Sequence, residues 1–145
     1  MPQRMFARAA LIDTAAVIAL HRQSDQHHDD AVAFFGNPPK GWAWYSLRVT
    51  THETFTTVRY SDGLRAALAN YDFLRVAPFE LLDFDEDDEA EARSLIERHR
   101  DQAYSFHDAL CAAVMKRVGI PNIFTFDKHF WTMGLGFTVL PGPTV

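Results

Sequence analysis

Three features of the chain predict an α/β fold, with a mainly parallel central sheet flanked by helices as an α/β/α sandwich. Short apolar runs alternate with segments of helical periodicity along the whole length. The connections between the runs are about ten residues or longer, as parallel strands require. With 145 residues and 48% hydrophobic content, the chain has room for one substantial core, so residues 1–145 are expected to form a single domain.

Taken in order, "MPQRMF" has no clear periodicity and is a short extension or a ragged strand start. "ARAALID" predicts a buried strand ending at Asp13, and "TAAVIALHR" a helix opened by Thr14. A second helix is expected from Ser24 or Asp25 through Phe35, stopped by the loop "GNPPKG". "WAWYS" alternates at period 2 and predicts a short strand, followed by a helix over Arg48 to Tyr60 with Glu53 early in it. "SDGLRAALANYDFLR" spaces Leu64, Ala67, Leu68 and Tyr71 as a helix does, and "FELLDF" predicts a strand. An acidic run then opens a helix continuing through "EARSLIERHR", its acids facing the positive end of the helix dipole. "SFHDALCAAVMKRVG" is the best-formed helix signal, with Ser105 as N-cap, Asp108 at the third position and Gly119 as stop. "IPNIFTF" predicts a strand, "DKHFWTMG" a turn or short helix, and "FTVL" a final strand.

Composition narrows the function classes. One cysteine, Cys111, excludes an intramolecular disulfide framework and fits a reducing compartment, with cytoplasm as the default. The apolar stretch "AALIDTAAVIAL" is interrupted by Asp13 and too short for a membrane span, so neither anchor nor signal peptide is expected. A net charge of -5 argues against a broad basic nucleic-acid face. Its distribution changes that reading, because seven of the 19 acids lie between Asp83 and Glu91, leaving 12 against 14 Lys and Arg elsewhere. The run lacks the glycine and alternating ligands of a calcium loop and is expected to be a solvated helix start.

Asp13, Asp108 and Asp127 share a pattern: each stands at a strand exit or in the first turn of a helix. Singly, each has an ordinary role. Asp13 and Asp127 make good helix caps, Asp108 completes a capping box with Ser105, and Glu53 is a solvated helix residue. Together they point elsewhere, because ligands of an open parallel sheet bind outside the carboxyl ends of its strands, and Glu53 can reach the same crevice. Carboxylates gathered there repel and raise one another's pKa unless a cation sits among them. Oxygen ligands without an obligatory cysteine or histidine suit magnesium or manganese.

In this order, "LIDT", "THETF", "SFHDALCAA" and "TFDKHF" resemble the PIN domain, most closely the VapC-type ribonuclease toxins of bacterial toxin-antitoxin modules, over nearly the whole chain. The resemblance implies a metal site made by Asp13, Glu53, Asp108 and Asp127, with Ser105 and Thr125 supporting the acids. It further implies Mg2+- or Mn2+-dependent endonucleolytic cleavage of RNA by metal-activated water, leaving a 5'-phosphate. A homodimer and inhibition by a cognate antitoxin are implied as partners. One departure is that "RVTTHETFTT" is more polar than the corresponding helix of relatives.

Among the remaining residues, His27 and His28 are expected on a solvated helix, and His107 and His129 at the surface beside proposed ligands, within reach of RNA phosphate. Lys128, Arg48 and Arg59 are phosphate-contact candidates. Trp42 and Trp44 are expected in the core or a dimer interface, not as base-stacking groups. Cys111 is expected to be a buried hydrophobe. Three rivals remain: a PIN-fold nuclease of RNA processing or DNA, a phosphohydrolase with an aspartate nucleophile, which the alanine at position 15 weakens, and a silent RNA- or protein-binding module.

Overall fold

The computed structural model describes residues 7–142, so the expectation for "MPQRMF" lies outside the described residues. Five strands form one sheet: β1 (Ala9–Ile12), β2 (Ala43–Leu47), β3 (Phe79–Leu82), β4 (Asn122–Phe124) and β5 (Thr138–Leu140). All four pairings are parallel and the spatial order is β3-β2-β1-β4-β5. The described helices are α1 (Thr14–His21), α2 (His28–Gly36), α3 (Arg48–Asp62), α4 (Leu64–Leu74), α5 (Glu86–Arg98), α6 (Phe106–Val118) and α7 (His129–Thr132).

Strand alternation sorts the core into two layers. Ala9 and Leu11 of β1, with Ile123 of β4, face Ala92 and Leu95 of α5, the buried side of α6, and Phe130 of α7. Ala10, Ile12 and Phe124 face Ala16 and Val17 of α1, Ala31 of α2, Trp44, Leu74 and Phe79. Since β1 is covered on both faces, all four of its residues are buried and apolar. Trp44 sits in this second layer with Trp42 packed against it, as the period-2 pattern predicts.

Two boundaries differ from expectation for local reasons. The second helix begins at His28, because the Asp25 carboxylate accepts from the His27 backbone N–H at 2.8 Å and its carbonyl from that of His28 at 3.0 Å, which makes residues 25–28 a turn. Helix α3 runs to Asp62, two residues beyond Tyr60, and stops at Gly63. Helix α6 ends as expected, at Gly119 in the left-handed conformation (φ 90°) with its N–H bonded to the Met115 carbonyl.

The strand order has one consequence for function. From β1 the chain moves outward through β2 and β3 on one side, then returns to β4 and β5 on the other. The switch in direction therefore falls between β1 and β4, and a crevice opens outside their carboxyl ends. Asp13 follows β1 directly, and Thr125 to Asp127 follow β4.

Candidate active site

Asp13 is 2% exposed and serves as N-cap of α1, its Oδ1 accepting from the Ala16 N–H at 3.1 Å. The helix-cap expectation is thus met, but the other oxygen is used across the sheet: Oδ2 accepts from the Thr125 hydroxyl at 2.6 Å. The same Thr125 oxygen accepts from the Asp127 N–H at 2.9 Å. One threonine at the exit of β4 therefore fixes acids from two strands, which explains a buried hydroxyl at that position.

Asp108 caps as the sequence predicts. Its N–H donates to Ser105 Oγ at 3.0 Å, and its Oδ2 accepts from the Ser105 N–H at 3.1 Å. That Oδ2 also lies 3.1 Å from Nδ1 of His129, which is 3.3 Å from Asp127 Oδ1. Asp127 Oδ1 accepts from the His129 backbone N–H at 2.9 Å, an Asx turn that opens α7. One donor atom from each of Asp108, Asp127 and His129 lies within 4.8 Å of the others. His129, its side chain 30% exposed, is thus part of the cluster as well as accessible to solvent, and the short Asp127–His129 turn was the sequence feature that could have indicated it.

Glu53 is held on the opposite wall by α6. Its Oε2 lies 2.6 Å from Nδ1 of His107 and accepts from the Thr14 hydroxyl at 3.3 Å. His107 is 8% exposed, with Nε2 2.7 Å from Thr50 Oγ1 and 3.6 Å from the Cys111 sulfur. The surface expectation for His107 is corrected here. Residues His107 to Met115 of α6 are all buried, so the imidazole beside Asp108 has no route to solvent and finds a carboxylate on α3 instead. The polar segment before Glu53 is explained by the same wall: Thr50, Thr51 and Thr54 are fully buried, with Thr54 donating to Thr14 at 3.2 Å and Thr51 to the Arg48 carbonyl at 2.6 Å.

Electrostatics distinguish these acids from ordinary caps. Burial pushes the Asp13 carboxyl up to about 7, against the lowering hydrogen bonds from Thr125 and Ala16, and the Asp127 charge adds to the rise. Burial likewise raises Asp127, with the Asp108 charge also raising it. Burial opposes charge on His107, but the Cys111 sulfur and the Glu53 carboxylate beside it outweigh that effect and raise its pKa. Since burial also keeps the Cys111 thiol high and hence neutral, Glu53 is the partner that supplies the negative charge. The donor set suits a hard divalent cation: mostly carboxylate oxygens, two of them with protonation favoured by crowding and burial.

His27 stacks on Phe126 at 4.6 Å and 6°, and His28 Nδ1 lies 2.7 Å from the Ala19 carbonyl, so neither is a solvated helix residue. Arg48 is engaged by Asp83 at 2.9 Å. Asp88, within the acidic run, is 3% exposed and gripped by Arg117, whereas its neighbours Glu86, Asp87 and Glu89 are exposed. Cys111 is buried, as expected.

A buried carboxylate cluster at the switch point of a five-stranded parallel sheet agrees with the match of residues 10–134 to the PIN domain, and the chain belongs to that family. Among individual proteins it is similar to the 23S rRNA-specific endonuclease VapC20 of Mycobacterium tuberculosis, 29% identical over 126 residues that cover 85% of this chain and 92% of that one. The crystal structure of M. tuberculosis VapC20, a Sarcin-Ricin loop cleaving toxin, aligns with a TM-score of 0.79 at 28% identity, covering 86% of this chain and 95% of that one. In fold the chain also resembles DNA-bound VapBC2 from Rickettsia felis (TM-score 0.64, 13% identity) and DNA-bound VapBC from Salmonella typhimurium (0.63, 14%), each covering 90% of this chain and 96% of that one.

Proposed function

We propose that this chain is a Mg2+- or Mn2+-dependent endoribonuclease of the VapC type, the toxin of a two-component module that acts in the cytoplasm, with Asp13, Glu53, Asp108 and Asp127 as its metal-binding and catalytic acids. The observation that carries the proposal is the grouping of Asp108, Asp127 and His129 donor atoms within 4.8 Å of one another, with Asp13 tied to Asp127 through Thr125 and its carboxyl pushed up to about 7 by burial. Asp13, Asp108 and Asp127 would hold the ion. Bound there, a divalent ion would polarise a phosphoryl oxygen and lower the pKa of a water nucleophile.

The chain's own groups do the rest. Thr125 fixes the spacing of Asp13 and Asp127. His107 pins Glu53 through Oε2, and among the described residues no hydrogen bond engages Oε1, which leaves it to orient the attacking water and accept its proton. His129, bridging Asp108 and Asp127, holds their carboxylates in register.

Likeness to an rRNA endonuclease supports RNA as the substrate, and the fold shared with the toxin–antitoxin complexes VapBC2 and VapBC supports a cognate antitoxin as protein partner; a second copy of the chain is the remaining partner of this reading. No helix among the described residues is long and apolar enough to cross a membrane. The chemical test is cleavage of structured RNA in manganese by the parent and by folded Asp13→Asn and Asp108→Asn proteins. The parent should cut and the variants should not; equal rates would end the proposal. Growth arrest on expression, relieved by the product of the neighbouring gene, tests the toxin assignment separately from the chemistry.

A further inference from the structure

Beside the acid cluster lies a recess of about 230 Å3 whose walls include His27, Asp30, Thr125, Phe126, Lys128 and Trp131. It is smaller than the roughly 300–1,000 Å3 of sites for drug-sized ligands, a scale that suits one planar ring system. It adjoins the proposed site directly, since Thr125 carries Asp13 on its hydroxyl while Phe126 and Lys128 flank Asp127. Its aromatic content is unusual for a polar edge. Trp131 is 51% exposed, and His27 lies flat on Phe126, which in turn packs on Phe124 of β4. Large aromatic faces left in water next to a cleft are more informative than scattered exposed aliphatics.

The charges lining the recess identify the ligand class. It holds one cation, Lys128, and one carboxylate, Asp30, and among the described residues neither is engaged in an ion pair or side-chain hydrogen bond. A phosphate would meet the Asp30 charge, so the recess is badly made for a free anion. A neutral heteroaromatic ring with N–H donors on its edge meets no such conflict. It stacks on aromatic faces and donates to the carboxylate, as unpaired RNA bases do on their Watson–Crick edges. Among the four bases, guanine sets an imino N–H and an amino group side by side, matching the two acceptor oxygens of a carboxylate.

We propose that this recess is a nucleobase subsite for an unpaired base next to the scissile phosphate, with Trp131 as the stacking surface and Asp30 as the group that selects guanine. This rests on the nuclease reading for its biological meaning, but base binding can be measured without cleavage. The first arm adds GMP, AMP, CMP or UMP to the 15N-labelled protein and follows the Trp131 indole N–H signal, assigned by its loss in Trp131→Ala. GMP should move that signal most and saturate, and Asp30→Asn, an isosteric change at an exposed residue, should weaken GMP about tenfold or more and level the four bases. The Trp131→Ala protein should bind GMP at least about tenfold more weakly by calorimetry, on the scale of one lost base stack.

The second arm cleaves an RNA pool randomised around the cut in manganese. The parent should prefer guanine at one adjacent position, and Asp30→Asn should lose that preference while still cutting. Equal response to the four nucleotides, or binding unchanged in both variants, overturns the subsite. An unchanged cleavage preference in Asp30→Asn overturns its role in selecting substrate. Absence of all cleavage by the parent defeats the nuclease reading, while the nucleotide arm still decides the recess.

Discussion

Helices α5 and α6 open with the same device and end in opposite electrostatic circumstances. Each has a capping box with an aspartate at the third position: Asp88, paired with Asp85, and Asp108, paired with Ser105. Both aspartates are buried. Across from Asp88 stands Arg117, with Nε 2.9 and 3.0 Å from its two oxygens and an Nη 2.9 Å away. Burial would raise the Asp88 carboxyl, but the Arg117 hydrogen bonds and charge overcome it and hold the pKa below its usual value. Across from Asp108 stand another carboxylate, Asp127, and the shared ring of His129. A capping motif therefore says nothing about whether its acid is structural. What the fold sets opposite it decides: a fixed guanidinium makes a closed pair at Asp88, whereas at Asp108 a second acid and an imidazole form the group on which the proposed cation site rests.

The largest expected effect separates the two regions by activity. Asp108→Asn should lower manganese-dependent RNA cleavage by more than about a hundredfold, beyond the loss of an outer hydrogen-bond partner. Asp88→Asn should leave the rate per folded molecule unchanged. Comparable losses from both would erase the distinction.

Next in size is metal-linked stability. At a manganese concentration about 100 times its dissociation constant, the parent should gain about 2.7 kcal/mol over the protein in EDTA, read as a rise in melting temperature. Most of that gain should vanish in Asp108→Asn and persist in Asp88→Asn. Breaking the closed pair comes third. Asp88→Ala should cost about 1–2 kcal/mol in urea unfolding, a charged hydrogen bond discounted because the Arg117 side chain is 42% exposed.

The pH dependence has opposite signs at the two sites. The Asp88 pKa is lowered on folding, so its contribution is present above its ordinary value of 3.8 and disappears as pH falls through the lower folded value. The Asp13 pKa is raised from 3.8 to about 7, so its contribution is present below 3.8 and is lost as pH rises through about 7. Melting curves in EDTA should show Asp13→Asn gaining on the parent as pH rises from 5 to 8, and Asp88→Asn catching up with it below pH 4. The smallest change should come from the exposed pair Arg93–Glu97 on α5, 2.9 Å apart at four-residue spacing. Arg93→Ala should alter stability by no more than about 0.5 kcal/mol and the rate not at all.

Local sequence accounts for the alternation of strands and helices, the capping box of Ser105 and Asp108, the stop at Gly119 and the positions of the acids at strand exits. Each of these follows from short-range periodicity or local hydrogen bonding, which a linear chain displays directly. Which groups face one another is set by long-range packing. His107 is adjacent to Asp108 in the chain yet serves Glu53 from another helix, His129 joins two acids 19 residues apart, and Thr125 ties β1 to β4. Asp88 closes on an arginine 29 residues away, though its sequence context matched that of solvated neighbours. Burial and pairing depend on what the sheet order brings across the crevice, so the charge state of a buried acid is a property of the packed molecule and not of its local sequence.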